Sequence, residues 1–249
     1  MLIDSHCHLN ELKDIPSAIE RAKKENVGKI FSCAVDSKST EQHIEMKQKY
    51  DGIEIALGLH PSNTVFNMTK DEIESCLELI EEKIPAALAV GEIGLDFKHA
   101  ETNAKRKAQR QVLKRQLLTA LEFKKPVVIH SRRAHWECFR ILEDYSPKQV
   151  LMHWFYDKGS MKKIIDNNYF VSIGPSVFKD RAVQDFAQKL PIENLLLETD
   201  SPVRFNGRPA EPAWIKKVAE KVCELKETGM KTLEKECENN FYRFSGQKK

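Results

Sequence analysis

The sequence predicts an α/β chain: one domain over residues 1–249, folded as a single (β/α)8 TIM-type barrel, regular or distorted. Three observations predict it. Short apolar, β-branched runs alternate with longer amphipathic ones along the whole chain. Eight short runs share 249 residues, about one per 31, which is the rhythm of a strand–helix repeat. No linker, low-complexity segment or shift in composition interrupts that rhythm. A doubly wound open sheet produces a similar rhythm, so periodicity alone leaves both architectures open.

The elements follow in order. LIDSHCHL (2–9) is the first strand, and IPSAIERAKKEN (15–26) the amphipathic helix after it. GKIFSCAV (28–35) and IEIALGLH (53–60) are the second and third strands. KDEIESCLELIEEK (70–83) is helical, and ALAVGEIGL (87–95) is the fourth strand. AQRQVLKRQLLTALEFKK (108–125) places Val112, Leu113, Gln116, Leu117, Ala120 and Leu121 close to a 3.6-residue spacing, one face of a helix. PVVIHS (126–131), VLMHWF (150–155), YFVSIG (169–174) and NLLLETD (194–200) complete the eight strands.

Composition narrows the function classes. A chain of this length buries roughly 70–75% of its unfolded surface, enough for a large core. The net charge of +3 permits an anionic substrate and excludes a polycation that coats nucleic acid. The six cysteines form no CxxC pair, so neither a zinc ribbon nor a redox dithiol is indicated. No basic stretch followed by an apolar core opens the chain, and no apolar run reaches the ~18–20 residues that span a membrane. The expectation is a cytoplasmic protein with reduced thiols, no membrane association and no obligate protein partner.

Chemistry collects where the strands end, the end at which barrels of this kind carry their active sites. Those ends read HCH, GLH, GEIGLD, VIHS, LMHW and ETDSP. Of eight histidines, His6, His8, His60, His130 and His153 lie there, while His43, His99 and His135 lie elsewhere. His6 and His8 are two apart on one strand, so alternation points both to the same face, together with Asp4. Glu92, Asp96 and Asp200 join the group. Asp96 reads as a cap of the following segment. His60, before Pro61, reads equally as a turn residue or a substrate contact. A rim of imidazoles and carboxylates without a cation carries a heavy desolvation cost. His6, His8, His130, His153, Glu92 and Asp200 form a mixed N/O set large enough for two divalent ions, with the two oxygens of Glu92 suited to a bridge.

The motifs IDSHCHLN (3–10), GLHP (58–61), GEIGLDF (91–97), PVVIHSR (126–132), the His153 strand and LLLETDSP (195–202) resemble the TatD family of metal-dependent deoxyribonucleases, within the amidohydrolase-like barrels. By position, the resemblance implies that His6, His8 and Asp200 ligate one metal, His130 and His153 the second, and Glu92 bridges them. Three departures stand out. His153 is followed by Trp-Phe-Tyr where the family has Cys-Phe and a small hydroxyl residue. Trp136 occupies a position that is usually acidic, with Glu137 one place late. RPAEP (208–212) carries Ala210 in place of the family's Asn. All three fall on the substrate side and leave the ligand types intact.

The resemblance implies a catalytic Asp200 and Glu92, with two cations about 3.5–4 Å apart clamping a phosphodiester around an activated water. Asp200 orients the water or takes its proton. Arg132, two residues after His130, is placed to neutralise a phosphate oxygen. Arg132 and His60, both at strand ends outside the ligand set, read as the residues that hold the scissile phosphate. Arg204 and Arg208 are weaker candidates, and alternation makes Trp154 a packing residue. KHAETNAKRKAQR (98–110) reads as a solvated helix face or as a phosphate contact. Oxygen ligands favour Mg2+ or Mn2+, and imidazoles favour Zn2+. The residues alone specify a metal hydrolase; the resemblance specifies DNA, as single strands or ends. Hydrolysis of another ester or amide, such as a D-aminoacyl-tRNA, is the second enzyme reading, and an accessory nucleic-acid-binding protein is the third.

Overall fold

Asp14 opens the first helix because its carboxylate accepts the Ser17 amide at 3.1 Å, with Pro16 fixing φ in the first turn. The same chemistry recurs along the chain. The computed structural model describes residues 1–62 and 68–248. Its strands are β1 (Leu2–Cys7), β2 (Val27–Cys33), β3 (Ile53–Leu57), β4 (Ala89–Asp96), β5 (Val127–Arg132), β6 (Val150–Met152), β7 (Phe170–Ile173), β8 (Leu195–Leu197), β9 (Arg204–Phe205) and β10 (Arg208–Pro209). Its helices are α1 (Ile15–Lys24), α2 (Ser37–Lys49), α3 (Lys70–Lys83), α4 (Asn103–Glu122), α5 (His135–Tyr145), α6 (Met161–Asp166), α7 (Arg181–Lys189), α8 (Ile215–Lys226) and α9 (Met230–Ser245). The eight long-range strands follow one another in the sheet as they do in the chain, with a helix in each crossover. This is the (β/α)8 class. Among the described residues, no helix is long and apolar enough to cross a membrane.

The chain divides into two compact units, one of Met1–Ser32 with His153–Lys249, the other of Cys33–Met152. In the first unit β1 pairs in parallel with β2, and β7 with β8. Every residue of β1 is buried, which accounts for its near-continuous apolar run. Phe31 of β2 meets Phe241 and Phe244 of α9 at ring separations of 5.8 and 6.0 Å, and Phe170 of β7 meets Phe244 at 6.0 Å. β9 and β10 form a two-residue hairpin over Asn206 and Gly207, both left-handed at φ 54° and 76°. Positive φ at both positions makes a tight turn of the kind Asn-Gly favours. The expected strand list omits this hairpin.

The second unit holds β3, β4, β5 and β6 in parallel register, with Gly94 opposite His130 and Asp96 opposite Arg132. Capping boxes start both α2 (Asp36 with Ser39) and α3 (Thr69 with Glu72). The helix after β4 starts at Asn103, five residues before its expected start, because Thr102 caps it through the Lys105 amide.

Most of the expected strands overrun their observed C-terminal ends. Residues 150–155 shrink to β6 and residues 194–200 to β8 because the backbone turns left-handed at Trp154 (φ 44°) and Asp200 (φ 48°). His8, His153 and Asp200 therefore sit just beyond the ends of β1, β6 and β8, whereas Glu92 and His130 lie within β4 and β5.

Candidate functional site

In the second unit the register of β4 on β5 builds a carboxylate–imidazole cluster. Glu92, Gly94 and Asp96 share one face of β4, and His130 lies opposite Gly94. The His130 ring extends between the two carboxylates, with Nδ1 2.7 Å from Glu92 Oε1 and Nε2 3.2 Å from Asp96 Oδ2. Gly94 is required there: a Cβ would lie 1.9 Å from the His130 carbonyl oxygen, and its φ of 147° disfavours any side chain. His60 brings Nε2 to 3.2 Å from Glu92 Oε1, and its ring stands edge-on to His130 at 4.5 Å. Burial disfavours charge on His130, but its hydrogen bonds to Asp96 and Glu92 outweigh this and raise it to about 9. Burial also works against an ionised Asp96; contacts with His130 and His99 win and hold its carboxyl well below the usual carboxylate range.

Two buried glutamines of α4 brace this cluster. Gln109 accepts from the Asp96 amide at 3.0 Å and donates to the carbonyls of Asp96 and Pro61. Gln116 accepts from the Leu59 amide at 2.7 Å and donates to the Leu59 carbonyl at 3.1 Å. The strand end carrying Asp96 and the segment carrying His60 are thus tied to one helix face.

In the first unit the ends of β1 and β8 are stitched together. The Asp200 amide donates to the His6 carbonyl at 3.0 Å, and the His8 amide to the Ser201 carbonyl at 2.7 Å. Asp200 Oδ1 then lies 3.4 Å from Nε2 of both His6 and His8. Burial would raise Asp200, yet these two imidazoles hold its carboxyl far below the usual range, so it is ionised. His153 stacks on His6 at 3.8 Å and places Nδ1 3.0 Å from Glu198 Oε2. Ser172 donates to the same oxygen at 2.6 Å, whereas the buried Oε1 of Glu198 has no hydrogen-bond partner among the described residues. Asp4 is wholly buried against Thr199, with Oδ1 2.9 Å from the amide and Oδ2 2.6 Å from the hydroxyl. Burial dominates and raises Asp4 to about 8.

The structure thus gathers His6, His8, His153 and Asp200 in one unit, and Glu92, His130 and His60 in the other. Arg132 ends β5 with an exposed side chain. The donor atoms of His6, His153 and Glu198 lie within 4.8 Å of one another, as do those of His60, Glu92 and His130. These nitrogen–oxygen sets, with the unsatisfied Glu198 Oε1, fit a divalent cation. Sequence reasoning left Glu198 out of the donor set; its signal was a carboxylate two residues before Asp200 in an otherwise apolar strand. Asp96 is a cap, as expected, since it accepts from the amides of Lys98 and His99; it is also the partner of His130. In the charged segment 98–110, Arg106 and Arg110 lie over the Phe97 ring and Arg110 pairs with Glu137, so both have structural work. His43 is a buried helix residue on the Ser39 carbonyl.

The model of the TatD related DNase family matches residues 3–246. The uncharacterized metal-dependent hydrolase YabD of Bacillus subtilis is 34% identical over 240 residues, 91% of this chain and 92% of that protein. The human deoxyribonuclease TATDN3 is 33% identical over 213 residues, covering 81% of this chain and 78% of its own. The crystal structure of the TatD homologue YJJV from Escherichia coli superposes with a TM-score of 0.88 at 28% identity, covering 99% of this chain and 98% of that one. With the family model matching residues 3–246 and a relative 34% identical over 91% of the chain, the chain belongs to the TatD related DNase family.

Proposed function

We propose that this protein is a divalent-metal-dependent deoxyribonuclease that hydrolyses phosphodiesters of DNA, at single strands or ends, in the cytoplasm as one domain. The observation that carries the reading is the pair of carboxylate–imidazole clusters in a chain of this family. The residues that would hold two ions are His6, His8, Glu92, His130, His153 and Asp200, with Mg2+ or Mn2+ preferred and Zn2+ compatible with the imidazoles. Bound cations would supply Lewis acidity and make water a nucleophile near neutral pH.

The chain's own groups do the rest. Asp200, kept ionised between His6 and His8, orients the attacking water and accepts its proton. Glu198 and Ser172 fix the His153 ring. His60 and the exposed Arg132 meet the phosphate, Arg132 by offsetting its charge. The six cysteines are free thiols, in keeping with a reducing compartment.

The test is purified protein on single-stranded DNA and on aminoacyl-tRNA, each with Mn2+ and with EDTA. Metal-dependent release of nucleotides from DNA is the expected result. Deacylation of the tRNA with intact DNA overturns the substrate assignment, and activity that survives EDTA overturns the metal requirement.

A further inference from the structure

The hairpin after Asp200 carries a second feature. Phe178, Phe205, Asn206, Arg208, Trp214 and Lys217 line a cavity of about 530 Å3 in the first unit, within the size range of small-ligand sites. Three of these six residues are aromatic, two are cationic and none is acidic. The Phe178 and Phe205 rings are 5.6 Å apart. Lys179 stands 5.8 Å over Phe205, and Lys217 stands 6.0 Å over Trp214. Phe205 and Arg208 are cross-strand partners held by the Asn206–Gly207 turn. The cavity is also linked to the Asp200 strand end. The Val203 amide donates to the Asp200 carbonyl at 2.9 Å, and the Ala210 amide to the Val203 carbonyl at 2.9 Å.

We propose that this cavity is a binding site for an unpaired nucleotide of a DNA strand, its base stacked among Phe178, Phe205 and Trp214 and its phosphate held by Arg208 and Lys217. The inference rests on the deoxyribonuclease reading and adds to it a place on the fold where an unpaired nucleotide is held. Aromatic faces attract any base whose own faces are free, and neighbouring cations attract the backbone. A duplex offers no free base face, because its bases already stack on one another. An acid-free lining with two cations fits a polyanion. The hairpin carries Phe205 five residues after Asp200, and its backbone is tied to the Asp200 strand end through Val203.

Binding of fluorescein-labelled dT10 in EDTA, read by anisotropy, tests the site without cleavage. Phe205→Leu keeps apolar volume and removes the ring, so Kd for dT10 should rise roughly 5- to 150-fold, the span of one lost stack. Lys217→Gln should weaken binding and flatten the slope of log Kd against log salt by about 0.7. Blunt duplex DNA should bind equally to all three proteins. A separate assay of the wild-type protein on bis(4-nitrophenyl) phosphate with Mn2+ reads phosphodiester hydrolysis apart from strand binding. Wild-type protein inert on that diester counts against the deoxyribonuclease reading and leaves the dT10 result to stand alone. Unchanged dT10 affinity in both variants overturns the cavity as a nucleotide site, as does wild-type protein that fails to bind dT10 at 50 mM salt.

Discussion

His153 and Glu198 are joined by a buried contact of 3.0 Å between Nδ1 and Oε2. A carboxylate on Nδ1 fixes the tautomer that leaves the Nε2 lone pair for a cation and makes the ring a better donor. Glu198→Gln keeps the volume and loses that charge. Affinity for Mn2+, measured by calorimetry, should fall about 10- to 100-fold, the usual cost of removing such a partner. Unaltered Mn2+ affinity in a folded variant would detach Glu198 from the metal chemistry.

Asp200→Asn separates holding from proton handling. Asn retains one oxygen and nearly the same shape, so the protein should fold and bind DNA. It accepts no proton at neutral pH, and kcat should drop about 100- to 10,000-fold, the range of general-base assistance. A variant with both ions bound and near-normal kcat removes Asp200 from the proton step.

Gly94→Ala tests the close approach of β4 to β5. A methyl group there meets the His130 carbonyl at 1.9 Å in a backbone conformation that side chains avoid. Overpacking and strain together should cost about 2–6 kcal/mol. Urea unfolding reads the loss, and a midpoint within error of wild type would show that the strands part at no cost.

Asp4 gives the metal-free protein a pH signature. Its carboxyl is raised from 3.8 to about 8 by burial, so between those values the folded state binds a proton that the unfolded state has released. Stability from this group therefore falls as pH rises from about 4 to 8 and levels off above. Asn keeps both contacts, accepting from the Thr199 amide and donating to its hydroxyl. In EDTA, Asp4→Asn should gain on wild type at pH 8 relative to pH 5. Parallel stability curves for the two proteins would show that Asp4 is not the titrating group.

Patterns within one strand were legible in the sequence. The His6–His8 alternation, the eight apolar runs and the carboxylates closing GEIGLD and ETDSP could each be read locally. What escaped depends on register between strands. Nothing in GEIGLD alone says that Gly94 faces His130, so the double contact of that ring with Glu92 and Asp96 was invisible. The position of His60 beside Glu92 depends on a tie from Gln116, which read only as part of an apolar helix face. Glu198 was visible as an oddity in LLLETD, but its partners His153 and Ser172 lie 45 and 26 residues away. The Asn206–Gly207 turn is a local signal; it was missed because its strands are two residues each.

The two glutamines of α4 have a consequence for how this helix tolerates change. Gln109 and Gln116 are seven residues apart, about 10.5 Å along the axis and close to two full turns. That interval works as a gauge block: one amide grips the end of β4, the other the segment leading to His60. Inserting a single residue between them rotates one grip about 100° away from the other, so only one can engage at a time. Insertions before residue 109 or after 116 leave the gauge intact. Length in this helix is therefore fixed over the eight residues in its middle, where two side-chain amides set the spacing of the segments that carry Asp96 and His60.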